Sequence, residues 1–313
     1  MHLESRSGVV DVSQQMLDKY KEFIAQRRQD SSPAKVFGPA LENAKEIAAL
    51  LAAGGIVALP WGAKERRIFI IAGAHDLPST PKLLNEAKGR PAKQTLAIGC
   101  LPESIGFFAK PENSLPLRKA AEKLQEENLT DVLNHCYNYS LGLLFEAQES
   151  LSPAITRVDG GRRTVLIMAA NDWQDEYDIY NKTLWELSVR YGKAIAGTSA
   201  NPSGSKAFSV YDQEEAYGKF QNIIDGFVKY KPLPERPKSK PFQTSCTMID
   251  VTGEKPVAGR WGSVHPVRFR EFFPDLIIPK NIAREECCEG TVDLLKDRLI
   301  SRIRAFFCYT HHW

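Results

Sequence analysis

The sequence predicts an α/β fold, and three observations carry that reading. Amphipathic helical stripes alternate with short apolar runs of strand length along most of the chain. No internal repeat replaces that alternation, so a solenoid is excluded. Hydrophobic residues make up 43% and charged residues 25% of the 313, values ordinary for a globular protein with a real core. This length fits one core domain with extensions, read as an N-terminal extension over 1–39, a core over 40–266 and a tail over 267–313.

The elements follow in order. Ser13 is placed to cap a helix in which Met16, Tyr20, Phe23 and Ile24 share one face, ended by Ser31-Ser32-Pro33. Leu41, Ala44, Ile47, Ala48 and Leu51 form a second stripe stopped by Gly54-Gly55. Ile56–Leu59 reads as a buried strand halted by Pro60. A helix from Ser79 carries Leu83, Leu84 and Ala87, and Leu96–Ile98 resumes as a strand. Strands are predicted at Leu141–Phe145 and Thr164–Met168, a helix at Lys182–Tyr191, a strand at Ala194–Ala196 and a helix over Gln213–Phe227. The repeated prolines of Tyr230–Pro241 forbid a helix and favour an extended connector. Thr247–Val251 reads as a strand, and the tail carries a helix at Val292–Phe307.

Charge and composition narrow the function classes. A net charge of +3 gives no strong overall field towards nucleic acid or an acidic membrane. No apolar run approaches the roughly 18 residues that span a bilayer, and the polar N-terminus lacks a signal-peptide apolar region. The six cysteines form neither a CxxC pair nor a disulfide framework, which fits a reducing cytoplasmic setting. Cys287-Cys288 with His311-His312 does not match zinc spacing, so no metal site is assigned.

Two motifs carry chemistry. In Lys88-Gly89-Arg90-Pro91 two cations stand two residues apart beside a rigid proline, and in an extended segment they project to one side. Arginine grips a phosphate or carboxylate with its planar fork, while lysine acts as a point charge. Alone, this is no more than a basic turn. Gly197–Gly204 follows an apolar run and is dense in hydroxyls and turn formers, able to aim N–H groups, Ser199 and Asn201 at phosphate or ribose oxygens. Alone, it is no more than a capped turn.

Together and in this order, about 110 residues apart, the motifs resemble the YrdC-like family, whose best-known members are threonylcarbamoyl-adenylate synthases. Gly54–Pro60, Lys88–Pro91 and Ser199–Gly204 carry the resemblance, which covers roughly residues 40–265. Cys246–Thr252 is similar to a further family strand, and Arg260, ten residues past Asp250, stands where the family has a nucleotide-contacting arginine. The resemblance implies a twisted, mostly mixed β-sheet flanked by helices, with ATP and Mg²⁺ as cofactors. It assigns Lys88, Arg90, Gln94, Ser199, Asn201, Ser209 and Arg260 to the nucleotide, with Lys88 and Arg90 catalytic.

The amino-acid side departs from the family. Pro60–Arg67 replaces the threonine-holding loop, Asn138–Gly142 lacks the family threonine, Cys246 replaces serine, and Gly99 stands where some members place histidine. A substrate pocket of Trp61, Ala63, Gly142 and Cys246 cannot reproduce hydroxyl bonds to a polar substrate. Trp61 serves equally as a pocket wall or as core, and Cys246 as inert packing rather than a nucleophile. The expectation is an ATP-dependent enzyme of specialised biosynthesis that forms or uses a carbamoyl- or acyl-adenylate on a small-molecule substrate other than threonine. Two alternatives stay open. One is ordinary threonylcarbamoyl-adenylate synthesis for tRNA modification. The other is a non-catalytic nucleotide- or RNA-binding protein using Arg66, Arg67, Lys88, Arg90, Lys93, Arg162 and Arg163, with RNA not favoured. The tail is available to pack on the core or support a homodimer.

Overall fold

A computed structural model of the chain describes residues 12–62, 67–91, 95–137, 141–159, 161–168, 178–201, 207–231, 246–262 and 264–284. Ala63, Gln94, most of the proline-rich connector and the predicted tail helix at 292–307 lie outside the described residues, as do Cys287, Cys288, Cys308, His311 and His312.

The chain begins with α1 (Val12–Asp30), β1 (Lys35–Phe37), α2 (Ala44–Ala52), β2 (Val57–Trp61), β3 (Ile68–Ala74) and α3 (Ser79–Ala87). It continues through β4 (Ala97–Gly99), α4 (Leu115–Leu124), α5 (Leu129–Tyr137), β5 (Leu141–Glu146), β6 (Arg157–Asp159) and β7 (Arg162–Met168). Then come α6 (Ile179–Tyr191), β8 (Ile195–Ser199), α7 (Gln213–Phe220), β9 (Gly226–Val228), β10 (Thr247–Asp250), β11 (Val257–Trp261) and β12 (Ala283–Arg284). Eleven of these strands form one mixed sheet in the order β1-β9-β2-β3-β8-β4-β7-β5-β10-β11-β12, and β6 pairs with β7 beside it. The segments before residue 40 and after residue 266 each add a strand to this sheet, β1 and β12. Among the described residues no helix is long and apolar enough to cross a membrane.

Strand alternation divides the core into two clusters, one on each face. On one face Ile71, Ile98, Ile167, Leu143 and Ile249 meet α3, α4, α5 and α7 through Leu84, Leu117, Leu133 and Phe220. On the other, Ile70, Ile195, Ala97 and Met168 meet α1, α2 and α6 through Ile24, Ile47, Leu51 and Leu184. Helix α1 is held to the core by charge as well. Arg27 Nη1 and Arg28 Nη2 lie 3.1 and 2.7 Å from the carboxylate of Asp225, which is fully buried. The Ile56 N–H donates to the same carboxylate at 2.9 Å. A buried carboxylate is tolerable here because its lone pairs are filled from three directions.

The observed elements correct three predictions. Strand β3 was not predicted, because it is buried along its whole length and shows no alternation. Pro60 does not halt β2. It stands opposite Phe69, whose N–H and carbonyl both bond away from it, to Phe208 O and Ala200 N at 2.8 Å each. That position requires no donor from proline. The helix predicted over Gln213–Phe227 ends at Phe220, and Gly226 begins β9, wedged between Leu50 and Phe37 where a Cβ has no room.

Candidate functional site

The final turn of α3 builds the basic half of the site. Lys88 caps the helix, and Gly89 takes a positive φ of +63° that turns the chain back. The turn is closed by Lys88 N–H and Arg90 N–H donating to the carbonyl of Asn85, at 3.2 and 3.0 Å. The Lys88 side chain is buried and runs to the end of β8. Its ammonium donates to Ser199 O at 2.7 Å, Asn201 Oδ1 at 2.8 Å, Ser199 Oγ at 3.2 Å and Thr198 Oγ1 at 3.3 Å. Ser199 Oγ donates to Asn201 Oδ1 at 2.6 Å. The two motifs singled out in the sequence are therefore one structure, joined by a lysine ammonium.

Arg90 is partly buried and differently held. Its Nε donates to Asn85 Oδ1, while its buried Nη2 has no acceptor. Burial pulls its pKa below the ordinary arginine value, and no neighbouring carboxylate opposes that shift. Ser209 is buried and caps a short turn. Its Oγ donates to Asp212 Oδ2 at 2.6 Å, and its N–H bonds the same oxygen at 3.1 Å. Its hydroxyl is thus occupied by local structure. Pro202-Ser203-Gly204 lies outside the described residues.

Arg260 comes from the far side of the sheet. Ala258 faces the first core cluster, but a register shift in the β10–β11 pair sets Arg260 opposite Met248, on the second face. There its Nη2 donates to Cys246 O at 3.1 Å and approaches Cys246 Sγ at 3.5 Å. The registers Ile70–Ser199, Ala97–Gly197, Gly142–Met168 and Met248–Gly142 place Ser199, Gly142 and Arg260 on one face. Four strand spacings separate β8 from β10, on the order of 19 Å along the sheet. Between them Leu144, Leu166 and Met248 are only partly covered.

Of the residues assigned to the substrate pocket, Trp61 and Cys246 are buried and Gly142 is crowded, while Ala63 lies outside the described residues. Trp61 is 2% exposed and lies in the apolar cluster with Cys246, Met168 and Ile68. A Cβ on Gly142 would stand 3.1 Å from both Cys246 Sγ and Leu166 Cδ1, so a side chain there requires both neighbours to shift by a few tenths of an ångström. At Gly99 a methyl group would run into the Tyr180 hydroxyl, with the ring carbon Cζ at 3.3 Å. Tyr180 is buried, and that desolvation raises its pKa. Arg67 also turns inward, donating from Nε to Gly62 O at 2.9 Å and from Nη1 to Tyr230 Oη at 2.7 Å. Arg162 and Arg163 bond main-chain oxygens at the sheet margin, Arg162 to Thr252 O and Arg163 to Glu149 O.

Sequence reading missed Asn85 and Tyr180. An asparagine in a last helical turn reads as an ordinary terminus signal. Tyr180 becomes legible only when α6 is laid over β4.

No protein-family model and no curated protein matches the chain. Among solved structures it is similar to P. abyssi Sua5 complexed with L-threonine, at 20% identity and a TM-score of 0.57, over 78% of this chain and 62% of that one. The chain thus spans less than two thirds of that protein's length. A doubly substituted variant of P. abyssi Sua5 aligns at 19% identity and a TM-score of 0.59, over 88% of this chain and 76% of that one. E. coli YciO aligns at 12% identity and a TM-score of 0.54, over 77% of this chain and all of its own 100%.

Proposed function

We propose that this chain, whose fold is YrdC-like, binds ATP and forms or uses a carbamoyl- or acyl-adenylate on a substrate other than threonine. The observation that carries the reading is the Lys88 junction, where a buried ammonium two residues before Arg90 holds Ser199 and Asn201. Arg90 has a buried N–H without an acceptor and no carboxylate partner, the condition in which an incoming phosphate oxygen is most favourable.

In such a reaction a carboxylate or carbamate oxygen attacks the α-phosphorus of ATP. The new O–P bond forms as the bond to the bridging oxygen breaks, and that oxygen leaves with the electron pair as part of pyrophosphate. Catalysis of this kind is positioning plus charge neutralisation. Arg90 and Lys88 answer the charge growing on the leaving phosphates, Ser199 and Asn201 set the nucleotide's orientation, and Arg260 closes the far side. Mg²⁺ would enter with the triphosphate as part of the substrate.

The P. abyssi Sua5 structure holds L-threonine. In this chain Gly142 stands where the family resemblance expects a threonine, with Cys246 Sγ and Leu166 Cδ1 close against it, which supports a substrate whose recognition does not depend on a hydroxyl bond there. Pyrophosphate–ATP exchange over a panel of amines and carboxylic acids, with and without hydrogencarbonate, tests the proposal. Exchange with a partner other than threonine is expected. No exchange and no ATP binding would sink the reading, and threonine-dependent pyrophosphate release would overturn its substrate half.

A further inference from the structure

We infer that Asn85 is a positioning residue, which aims Arg90 at an oxyanion and leaves the guanidinium charge uncompensated for that ligand. The inference rests on the reading that Arg90 meets the phosphates of ATP. Asn85 stands on the last turn of α3 and is fully buried. It holds Arg90 twice, through its carbonyl to the Arg90 N–H at 3.0 Å and through Oδ1 to Nε. The same carbonyl receives the Lys88 N–H at 3.2 Å. The main-chain carbonyl of residue 85 therefore holds the backbone of both cationic residues, and the Asn85 side chain holds the guanidinium of Arg90 through Nε.

The geometry selects what Arg90 offers. With Nε committed to Asn85, the Nη1–Nη2 end remains as a planar fork, the shape that matches two oxygens of a phosphate or carboxylate. The chemistry of the acceptor matters equally. An amide oxygen orients the fork without neutralising it, whereas a carboxylate at the same place would orient and neutralise together. Arg90 has no ion pair among the described residues, and its buried Nη2 lacks an acceptor. A half-buried cation without a counter-charge favours a bound anion, because the anion repays its desolvation.

The alanine substitution, read with and without Arg90, separates this role from simple helix-end packing, and the aspartate substitution tests the need for a neutral acceptor. Asn85→Asp keeps the size and the Oδ1 acceptor, exchanges the amide donor for an oxygen and places a negative charge against Arg90. If Asn85 were only structural, Asn85→Ala would lower the unfolding midpoint and leave ATP affinity unchanged. ATP binding is measured by calorimetry on the full chain, with the urea unfolding midpoint as a check of folding. The variants are Arg90→Ala, Asn85→Asp, Asn85→Ala and the double variant Asn85→Ala with Arg90→Ala. The expected result is a midpoint in Asn85→Asp at or above that of the unsubstituted chain, with ATP affinity lowered about tenfold. Asn85→Ala is expected to weaken ATP binding only when Arg90 is present.

Unchanged affinity in Asn85→Asp would overturn the inference. So would an Asn85→Ala loss that persists at full size in the Arg90→Ala background. Should Asn85→Ala fail to fold, Asn85→Asp decides alone. Normal ATP affinity in Arg90→Ala would remove the nucleotide reading of Arg90 and this inference with it. Weakened binding in Arg90→Ala with normal binding in Asn85→Asp would remove the inference only.

Discussion

The two ends of the site face are built on opposite principles. Around β8, Lys88, Ser199 and Asn201 are polar and hydrogen-bonded to one another, with Arg90 beside them. Around β5 and β10 the same face is apolar. Cys246, Met168, Leu166 and Met248 line it, and Cys246 Sγ and Leu166 Cδ1 crowd Gly142. The polar end keeps its geometry through bonds that a ligand can join. The apolar end keeps its geometry through close packing, where even one methyl group is felt. On the proposed reading, a site divided in this way would hold the common part of a substrate by charge and select the variable part by shape.

The largest expected effect tests the packed end. Gly99→Ala drives a methyl into the Tyr180 hydroxyl and is expected to lower stability by about 3 kcal/mol. Chemical unfolding measures that loss, and Tyr180→Phe in the same chain should recover most of it by removing the colliding oxygen. A neutral Gly99→Ala would show that this end is loose, and the contrast would fail. Next comes the charged end. Arg90→Ala is expected to weaken ATP binding by about 1–3 kcal/mol, the usual size for a charged hydrogen-bonding partner. Its unfolding midpoint should move little, since its one side-chain bond is to the Asn85 amide.

Ser199→Ala sharpens the comparison by removing an acceptor of Lys88 and a donor to Asn201. Stability and ATP affinity are both expected to fall, each by about 1 kcal/mol. A fall in stability alone would make Ser199 scaffold only. The smallest effect belongs to Cys246→Ser. Arg260 keeps its main-chain acceptor, Cys246 O, so ATP affinity should stay within about 0.5 kcal/mol of its starting value. Restoring the hydroxyl should not create threonine-dependent pyrophosphate release, because the space over Gly142 stays occupied by residue 246 and Leu166.

Much of this was legible in the sequence wherever a local rule sufficed. The apolar stripe of Ala44, Ile47, Ala48 and Leu51 announced α2, and Gly192 announced the end of α6, where its φ is +62°. The pairing of Lys88–Pro91 with Ser199–Gly204 was legible only through the family resemblance, since each motif alone reads as an ordinary turn and the bonds that join them span up to 113 positions. Strand β3 was hidden by its burial on both faces. Helices α4 and α5 also went unread, although Ser114 caps the first of them by accepting from Leu117 N–H. The crowding at Gly99 had no local signal at all, since Tyr180 lies 81 residues further on and reaches Gly99 only through the packing of α6 on the sheet. Likewise the sequence did not show that Ser209 caps its own turn through Asp212.

The Lys88 junction has a consequence for the order of assembly. Its bonds join residues up to 113 positions apart, so they form only after a long loop has closed. Until β8 has taken its place between β3 and β4, the ammonium has no acceptors and the turn after α3 is an ordinary basic surface. On the proposed reading, a growing chain has no nucleotide site before roughly residue 201 has been made and folded. Bound ATP would then act as a bolt on the finished sheet. By mass action it raises the unfolding free energy by about 2.7 kcal/mol at a hundred times its dissociation constant.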